Sequence, residues 1–145
     1  NIDLLFSEAS LDIHFMTPEE LFDKTEGMPL AKRILYVQDY YNKMAQDHEI
    51  IFRRYVSTTL VESIGSGQKI RGARRVETMD LILQSEAGQL SDNDKEKLKY
   101  VATVLMGIEP LIVTKDVCGL SNEKSSRALT WAIEAILKGL DYKEQ

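Results

Sequence analysis

The sequence predicts an all-α fold, a bundle of about six helices that forms a single domain over residues 1–145. Apolar residues recur at spacings of three and four through most of the chain, which is the period of an amphipathic helix. No segment alternates between apolar and polar residues as a half-buried strand does, and the chain contains only three prolines. A chain of 145 residues is also long enough to bury a core without disulfides or bound metal.

The first predicted helix is short and has a clear beginning. In the segment TPEE (17–20), Thr17 is the N-cap, Pro18 is the first helical residue and Glu20 completes a capping box. Gly27 is expected to end this helix, because glycine readily adopts the left-handed conformation that often follows a helix.

Two longer helices are expected next, separated by polar residues near Gln46 and Asp47. One begins at about Leu30 and the other covers roughly 48–63. Their predicted core positions are Leu30, Ile34, Val37, Tyr41, Met44, Ile51, Phe52, Tyr55, Val56 and Leu60. The glycines of IGSG (64–67) indicate a flexible turn after them.

Three further helices are expected in the second half of the chain. One covers about 69–85, and a long helix begins at SDND (91–94), whose side-chain oxygens can cap free amides. The long helix is expected to end at Gly119, and Ser121 caps a last helix that reaches about Leu140. Because so few residues link them, these last two helices, predicted to be the longest, should form a hairpin.

The last predicted helix has two adjacent apolar stripes, one of small residues and one of large aliphatic residues. Together they cover about twice the arc that a single core requires. Either the hairpin lies centrally within a monomer, or its second face pairs with the same hairpin of another chain in a four-helix interface across a two-fold axis. The second interpretation predicts a homodimer. The residues assigned to its interface are Ile112, Asp116, Ala128, Trp131, Ala132, Ala135 and Gly139.

Charge and composition argue against several classes of protein. The net charge of −5 argues against nucleic-acid binding by this chain alone, because phosphate contacts need a basic surface. No stretch approaches the roughly 18 apolar residues of a membrane span, and the first residues lack the features of a signal peptide. The single cysteine, Cys118, cannot form an internal disulfide. We therefore expect a cytoplasmic protein without a membrane partner.

No pattern of residues predicts catalysis, a metal site or a cofactor. His14 and His48 lack further ligands at metal-binding spacing, and Cys118 is expected to be a small buried filler beside a helix-ending glycine. Catalytic triads and phosphate-binding glycine loops are also missing, so no enzyme activity is expected. One basic cluster is interpreted as a solvated face or a set of ion-pair partners. It consists of Lys69, Arg71, Arg74 and Arg75.

Three long segments of the chain, taken in order, resemble the segments of a known protein family. They are PLAKRILYVQDYYNKMAQDHEIIFRRYVSTTL (29–60), RGARRVETMDLIL (71–83) and QLSDNDKEKLKYVATVLMGIEPLIVTKDVCGLSNEKSSRALTWAIEAILKGL (89–140). Together they resemble the C-terminal regulatory domain of TetR-family transcriptional regulators, and the linker and closing helix, DVCGLSNEKSSRALTWAIEAIL, resemble part of the dimerising hairpin of that family. The helix-turn-helix of the family has no counterpart in residues 1–30, so we expect this chain to be a fragment that lacks it.

The resemblance implies the effector-sensing and dimerisation domain of a transcriptional regulator. In such a protein a small molecule favours one arrangement of the helices and so changes the DNA affinity of an N-terminal DNA-binding domain. The implied partners are a second copy of the chain, an unknown small-molecule effector, and DNA only through the domain that is absent here. The alternative is a helical homodimeric protein-interaction module without a ligand pocket.

The long predicted helix contains the segment TVLMGIEPLIV (103–113), in which a charge and a proline interrupt an apolar run. Pro110 lacks the amide that would bond to the carbonyl of Met106. We therefore expect the helix to bend there and to leave that carbonyl open to water, a side chain or a ligand.

Glu109 lies among apolar positions of this helix and has two interpretations. It is either a structural acid, paired across the interface or within the bundle to a group such as Arg127 or Thr130, or a pocket residue that selects a cationic or hydrogen-bond-donating effector. Plain core packing is the alternative for the aromatic and methionine residues of such a pocket. The residues assigned to ligand binding are Tyr36, Tyr40, Phe52, Tyr55, Met79, Met106 and Glu109.

Overall fold

The structure is a computed structural model that describes residues 14–67, 71–88 and 90–140. Within these ranges it has seven α-helices and no β-strand, which confirms the predicted all-α class. The helices are α1 (Pro18–Lys24), α2 (Leu30–Asp47), α3 (Glu49–Ser66), α4 (Arg74–Gln84), α5 (Asp92–Val104), α6 (Ile108–Ile112) and α7 (Asn122–Gly139). A π-helical segment, Val113–Val117, continues α6 directly. None of the described helices is long and apolar enough to cross a membrane.

Three helices begin at the caps that the sequence indicates. The side chains of Thr17, Ser91 and Ser121 each accept a hydrogen bond from the backbone amide three residues later, at the starts of α1, α5 and α7. Each bond satisfies one of the amides that the first turn of a helix leaves without a partner. These three helix boundaries are therefore set by local sequence.

The main core forms around α2, which packs against α3, α4, α6 and α7. The helices α1 and α5 both pack against α4 on its other sides. Half of the ten core positions predicted from helical spacing are buried and most of the others are partly buried, because α2 buries the apolar face that its period defines more fully than α3 does. The buried side chains include Leu30, Ile34, Val37, Tyr41, Met79, Ile82, Leu83, Leu129 and Ile133.

Two predicted boundaries near the middle of the chain are wrong. Helix α3 continues through most of IGSG to Ser66, and Gly67 follows it with φ 61°. Helix α4 begins at Arg74 and not near residue 69, because residues 71–73 are not helical. Leu60, predicted as core, is 58% exposed because the last two turns of α3 lie open to solvent.

The long helix expected between residues 91 and 119 is interrupted. Helix α5 ends at Val104, α6 begins at Ile108, and Gly107 between them has φ 89° and ψ −155°, a conformation essentially restricted to glycine. Pro110 is the third residue of α6, where its missing amide has no helical partner to lose. The chain therefore breaks before the proline and does not merely bend at it.

Buried side chains of α2 hold this break in place. The side-chain amide of Gln38, which is 1% exposed, donates to the carbonyl oxygens of Leu105 at 3.0 Å and Leu129 at 2.9 Å. The side-chain oxygen of Asn42 accepts a hydrogen bond from the amide of Gly107 at 2.8 Å. These bonds matter because a buried polar group without a partner costs about 1–3 kcal/mol.

The C-terminal hairpin is shorter than predicted. Helix α7 packs against α6 and the π-helical segment, whereas α5 packs against α4. The hairpin turns at Gly119, which has φ 69°, and the amide of Leu120 bonds to the carbonyl oxygen of Thr114 at 3.0 Å, which closes the end of the π-helical segment. With 18 residues each, α2, α3 and α7 are the longest described helices, so the prediction that both of the longest helices lie at the C-terminal end is wrong.

Replacing Gly107 with alanine should destabilise the fold by roughly 2–3 kcal/mol, because its backbone conformation strains any residue with a Cβ atom. The new Cβ would also lie 2.9 Å from Nη1 of Arg75. Urea denaturation measures the free energy of unfolding. Gly65→Ala is the control, since its Cβ would meet no atom within 4 Å and alanine favours the helix. Equal losses in the two variants would contradict this account of the break.

Candidate functional site

A cavity of about 260 Å³ lies beside the break between α5 and α6. Its walls come from α2, α3, the first residues of α4 and α6, the residues just before those two helices, and one residue before α1. The apolar wall consists of Phe15, Met44, Ala45, Phe52 and Ile108. The rest of the lining consists of Tyr41, Tyr55, Arg71, Gly72, Arg74, Arg75 and Gly107. The cavity thus combines an apolar wall with three guanidinium groups from one short segment.

The angular position of each aromatic residue around the axis of α2 determines whether it reaches the cavity. Tyr41 and Ala45 line the cavity, whereas Tyr36 and Tyr40 do not. At about 100° per residue, Tyr40 lies about 100° and Tyr36 about 140° around the helix axis from Tyr41. Tyr36 packs against the main core, and the hydroxyl of Tyr40 accepts a hydrogen bond from the amide of Met16 at 2.7 Å. The structure therefore does not place these two tyrosines, assigned to ligand binding, at this cavity.

Two of the other assigned pocket residues do line the cavity. Phe52 and Tyr55 face it from α3, and the ring of Phe52 meets that of Phe15 edge-on with centroids 5.7 Å apart. Met79 and Met106 are fully buried in the main core and do not line the cavity. For both methionines, the alternative of plain core packing describes the structure.

Glu109 is held by arginines and is not part of the cavity lining. Its carboxylate accepts hydrogen bonds from Nη1 of Arg75 at 2.8 Å, from Nη2 of Arg75 at 3.1 Å and from Nη1 of Arg71. The side chain of Glu109 is 38% exposed, against 20% for Arg75. This is pairing within the bundle, as the structural interpretation expects, but the partners come from the start of α4 and not from Arg127 or Thr130.

Arg75 also binds the backbone at the break. Its Nη1 donates to the carbonyl oxygen of Met106 at 2.7 Å, so a side chain occupies the carbonyl that was expected to be open near Pro110. Burial and the charge of Arg71 lower the pKa of Arg75 to about 10, which still leaves it charged at neutral pH. Arg75 therefore lines the cavity, pairs with Glu109 and binds the backbone at the break.

The basic side of the cavity has hydrogen-bonding capacity that the chain does not use. The Nε atom of Arg71 is buried and has no hydrogen-bond partner among the described residues. Arg74 holds its guanidinium 4.9 Å from the centroid of the Phe15 ring and makes no ion pair within the described ranges. In the part of the chain that the structure describes, one carboxylate, that of Glu109, thus pairs with two of the three guanidinium groups.

Most residues assigned to a dimer interface lie on the outer face of α7. Trp131 is 69% exposed, and Ala128, Ala135 and Gly139 are exposed in the single chain, with Ala132 half-buried. The large aliphatic stripe of α7 faces the core. The chain by itself therefore leaves the small-residue stripe and its tryptophan uncovered.

The remaining two interface assignments already have partners inside the chain. Ile112 is half-buried and packs against the smaller core cluster, which contains Ala45 and Val56. Asp116 accepts two hydrogen bonds from Arg53, at 2.7 and 2.9 Å, and these hold the pKa of Asp116 below its ordinary value. An interface that includes Asp116 would meet a carboxylate that is already paired.

The other candidate residues form no site. His14 is exposed and His48 is half-buried, and the described part of the chain holds no group of three metal-ligating side chains. Cys118 is exposed and is not the buried filler that was expected, because it lies on the open turn after the π-helical segment. Lys69 lies outside the described residues.

The sequence does not predict that Tyr41, Met44, Arg71 and Arg75 meet at one cavity. Spacing assigns Tyr41 and Met44 to the core, and it leaves Arg71 and Arg75 in a solvated or ion-paired cluster. In the sequence, Glu109 is the residue that indicates a nearby cation, because an acid on an apolar face requires a cationic or hydrogen-bonding partner. The sequence does not say which cation supplies it.

Comparisons with protein-family models, with curated proteins and with solved structures find no match to this chain. Functional assignment therefore rests on the cavity and on the outer face of α7.

Replacing Glu109 with glutamine should lower the free energy of unfolding by about 1 kcal/mol, because two partly buried guanidinium groups lose their counter-ion. Partial exposure of the pair limits the loss. Urea denaturation at low salt measures it. Glu123→Gln, which removes an exposed pair with Arg127, is the control and should change little. Equal stability of the two variants would show that the charge of Glu109 does not hold the bundle.

Proposed function

We propose that the chain is the effector-sensing and dimerisation domain of a TetR-like transcriptional regulator, whose DNA-binding part lies outside it. The observation that carries the proposal is the cavity, which has aromatic and aliphatic walls and a few charged groups. Small-molecule sites typically have this composition. The cavity volume of about 260 Å³ lies just below the usual range of roughly 300–1,000 Å³, which indicates a small effector.

The position of the cavity supports a sensing role. Helix α4 begins at the cavity with Arg74 and Arg75 and packs against α1 and α5. A ligand that binds one position of α4 better than another shifts the population toward that position. In the proposed regulator the DNA-binding part precedes α1, so a shift of α4 against α1 would change the spacing of the two DNA-binding heads.

Homodimerisation through α7 is the second part of the proposal. An exposed tryptophan beside a stripe of small residues supports it, because small residues let two helices approach closely and Trp131 supplies a large apolar contact. Two copies of the hairpin would form a four-helix interface across a two-fold axis. This arrangement would bury the face of α7 that a single chain leaves uncovered.

A helical homodimeric protein-interaction module is the second candidate function. Val113 and Val117 favour it, because they are 52% and 79% exposed and add apolar surface beyond α7. In this candidate the cavity has no ligand. Both candidates are non-enzymatic, and both place the protein in the cytoplasm.

Mass spectrometry of the denatured protein separates the two candidates. For the sensing domain we expect a small molecule to accompany the purified chain and to be lost in Gly72→Trp. Gly72 lines the cavity, and a Cβ there meets no atom within 4 Å. Gly65→Trp, at an equally open position in α3, is the control and should retain the molecule. A chain that carries no small molecule, and whose melting temperature no small molecule raises, would favour the interaction module.

Replacing Ala135 with arginine should raise the dimer dissociation constant by more than about 100-fold, because a charge would be buried between closely packed helices at a cost of roughly 3 kcal/mol. The single chain should stay folded, since Ala135 is exposed in it. Light scattering over a concentration series measures the effect. Asn93→Arg adds the same charge at an exposed position of α5 and should leave the dimer intact. A native chain that is monomeric at micromolar concentration would refute dimerisation.

A further inference from the structure

We infer that the cavity binds a small amphipathic anion, a molecule with one acidic group and a short apolar body. The inference rests on the proposed function and deepens it by naming the chemical class of the effector. It depends on three features of the cavity: its charge, its unused hydrogen-bond donors and its apolar wall.

The charge around the cavity is positive. Arg71, Arg74 and Arg75 line it, and no acidic side chain of the described residues does. The carboxylate of Glu109 pairs with both Arg71 and Arg75. Within the described ranges, these three positive charges and one negative charge leave two positive charges, so the site attracts an anion.

Hydrogen-bond donors at the cavity remain available for that anion. The buried Nε of Arg71 lacks a partner among the described residues. Arg74 is an exposed residue whose guanidinium lies 4.9 Å from the centroid of the Phe15 ring. Helix α4 also begins here, and its N-cap residue, Ala73, makes no side-chain hydrogen bond to the first turn. The amides of that turn and the helix dipole favour a negative group at the same place.

The same helix dipole makes this cluster of arginines unfavourable in an empty site. Cations at the start of a helix oppose the dipole, which favours negative groups at that end. One carboxylate offsets this effect for Arg71 and Arg75 but makes no ion pair with Arg74. A bound anion would offset it for all three.

The opposite wall indicates that the ligand also has an apolar part. Phe15 and Phe52 meet edge-on there, and Met44, Ala45 and Ile108 complete the surface. A volume of about 260 Å³ corresponds to roughly nine water molecules at liquid density. The apolar part of the ligand must therefore be short. An inorganic anion alone would leave this wall without contacts.

The geometry disfavours a cationic effector. Selection of a cation by Glu109 would require a carboxylate that faces the cavity. The carboxylate of Glu109 is instead engaged by Arg71 and Arg75, and those two side chains line the cavity in its place. A cationic ligand would therefore meet like charge.

Calorimetric titration of the whole chain with octanoate, octan-1-ol and octylammonium tests the inference, because the three probes share an apolar body and differ in charge. Octanoate should bind at least tenfold more tightly than either of the other probes. If octan-1-ol or octylammonium binds as tightly, the anion inference fails while the pocket of the proposed function stands. If none of the three binds, both the inference and the pocket are overturned.

Two substitutions locate the anion. Arg74→Gln should weaken octanoate binding about tenfold, the effect of losing a charge-assisted hydrogen bond, and should leave octan-1-ol binding unchanged. Arg127→Gln removes the same charge from the exposed surface of α7 and is the matched control. Glu109→Gln removes the competing carboxylate and should strengthen octanoate binding. Unchanged octanoate affinity in Arg74→Gln, or unchanged or weaker affinity in folded Glu109→Gln, would overturn the inference.

Discussion

The interruption between α5 and α6 is the constraint on which the rest of the structure depends. It leaves the carbonyl oxygens of Leu105 and Met106 and the amide of Gly107 without helical partners, and side chains must replace those bonds. Gln38 and Asn42 do so from α2, and Arg75 does so from α4. Because the chain changes direction here, α5 packs against α4 while α6 packs against α2, α3 and α7. The cavity lies against this same point, lined by Gly107 and its neighbour in α6.

Arg75 couples the stability of the fold to the candidate site. One guanidinium binds the carbonyl oxygen of Met106, pairs with Glu109 and lines the cavity, so a change in its charge environment acts on all three. Small molecules that bias such shared contacts can select one packing arrangement over another. In the proposed sensor, an anion near Arg71 would compete with Glu109 for the arginine side chains. This competition would alter the contacts between α4 and the residues at the break.

A second set of ion pairs positions the C-terminal hairpin. Glu49 at the start of α3 binds Lys115 at 2.7 Å and Arg53 at 3.0 Å, and Arg53 also binds Asp116. The hydrogen bond from Lys115, followed by that from Arg53, lowers the pKa of Glu49. The π-helical segment carries Lys115 and Asp116, and such segments often occur at functional sites. These contacts tie α3 to the π-helical segment that leads into the hairpin turn.

The sequence by itself determined the features that depend on near neighbours: the caps at Thr17, Ser91 and Ser121, the bounds of α2 and α7, and the buried and outer stripes of α7. Only the tertiary structure decided the break at Gly107, the partners of Glu109 and the face of α2 that meets the cavity. The physical reason is the distance along the chain between the interacting groups. The hydrogen bond from Gln38 to Leu129 spans 91 positions, and that from Arg75 to Glu109 spans 34. Helical period and capping express local energies, whereas hydrogen bonds of this range exist only once the packed helices bring their partners together.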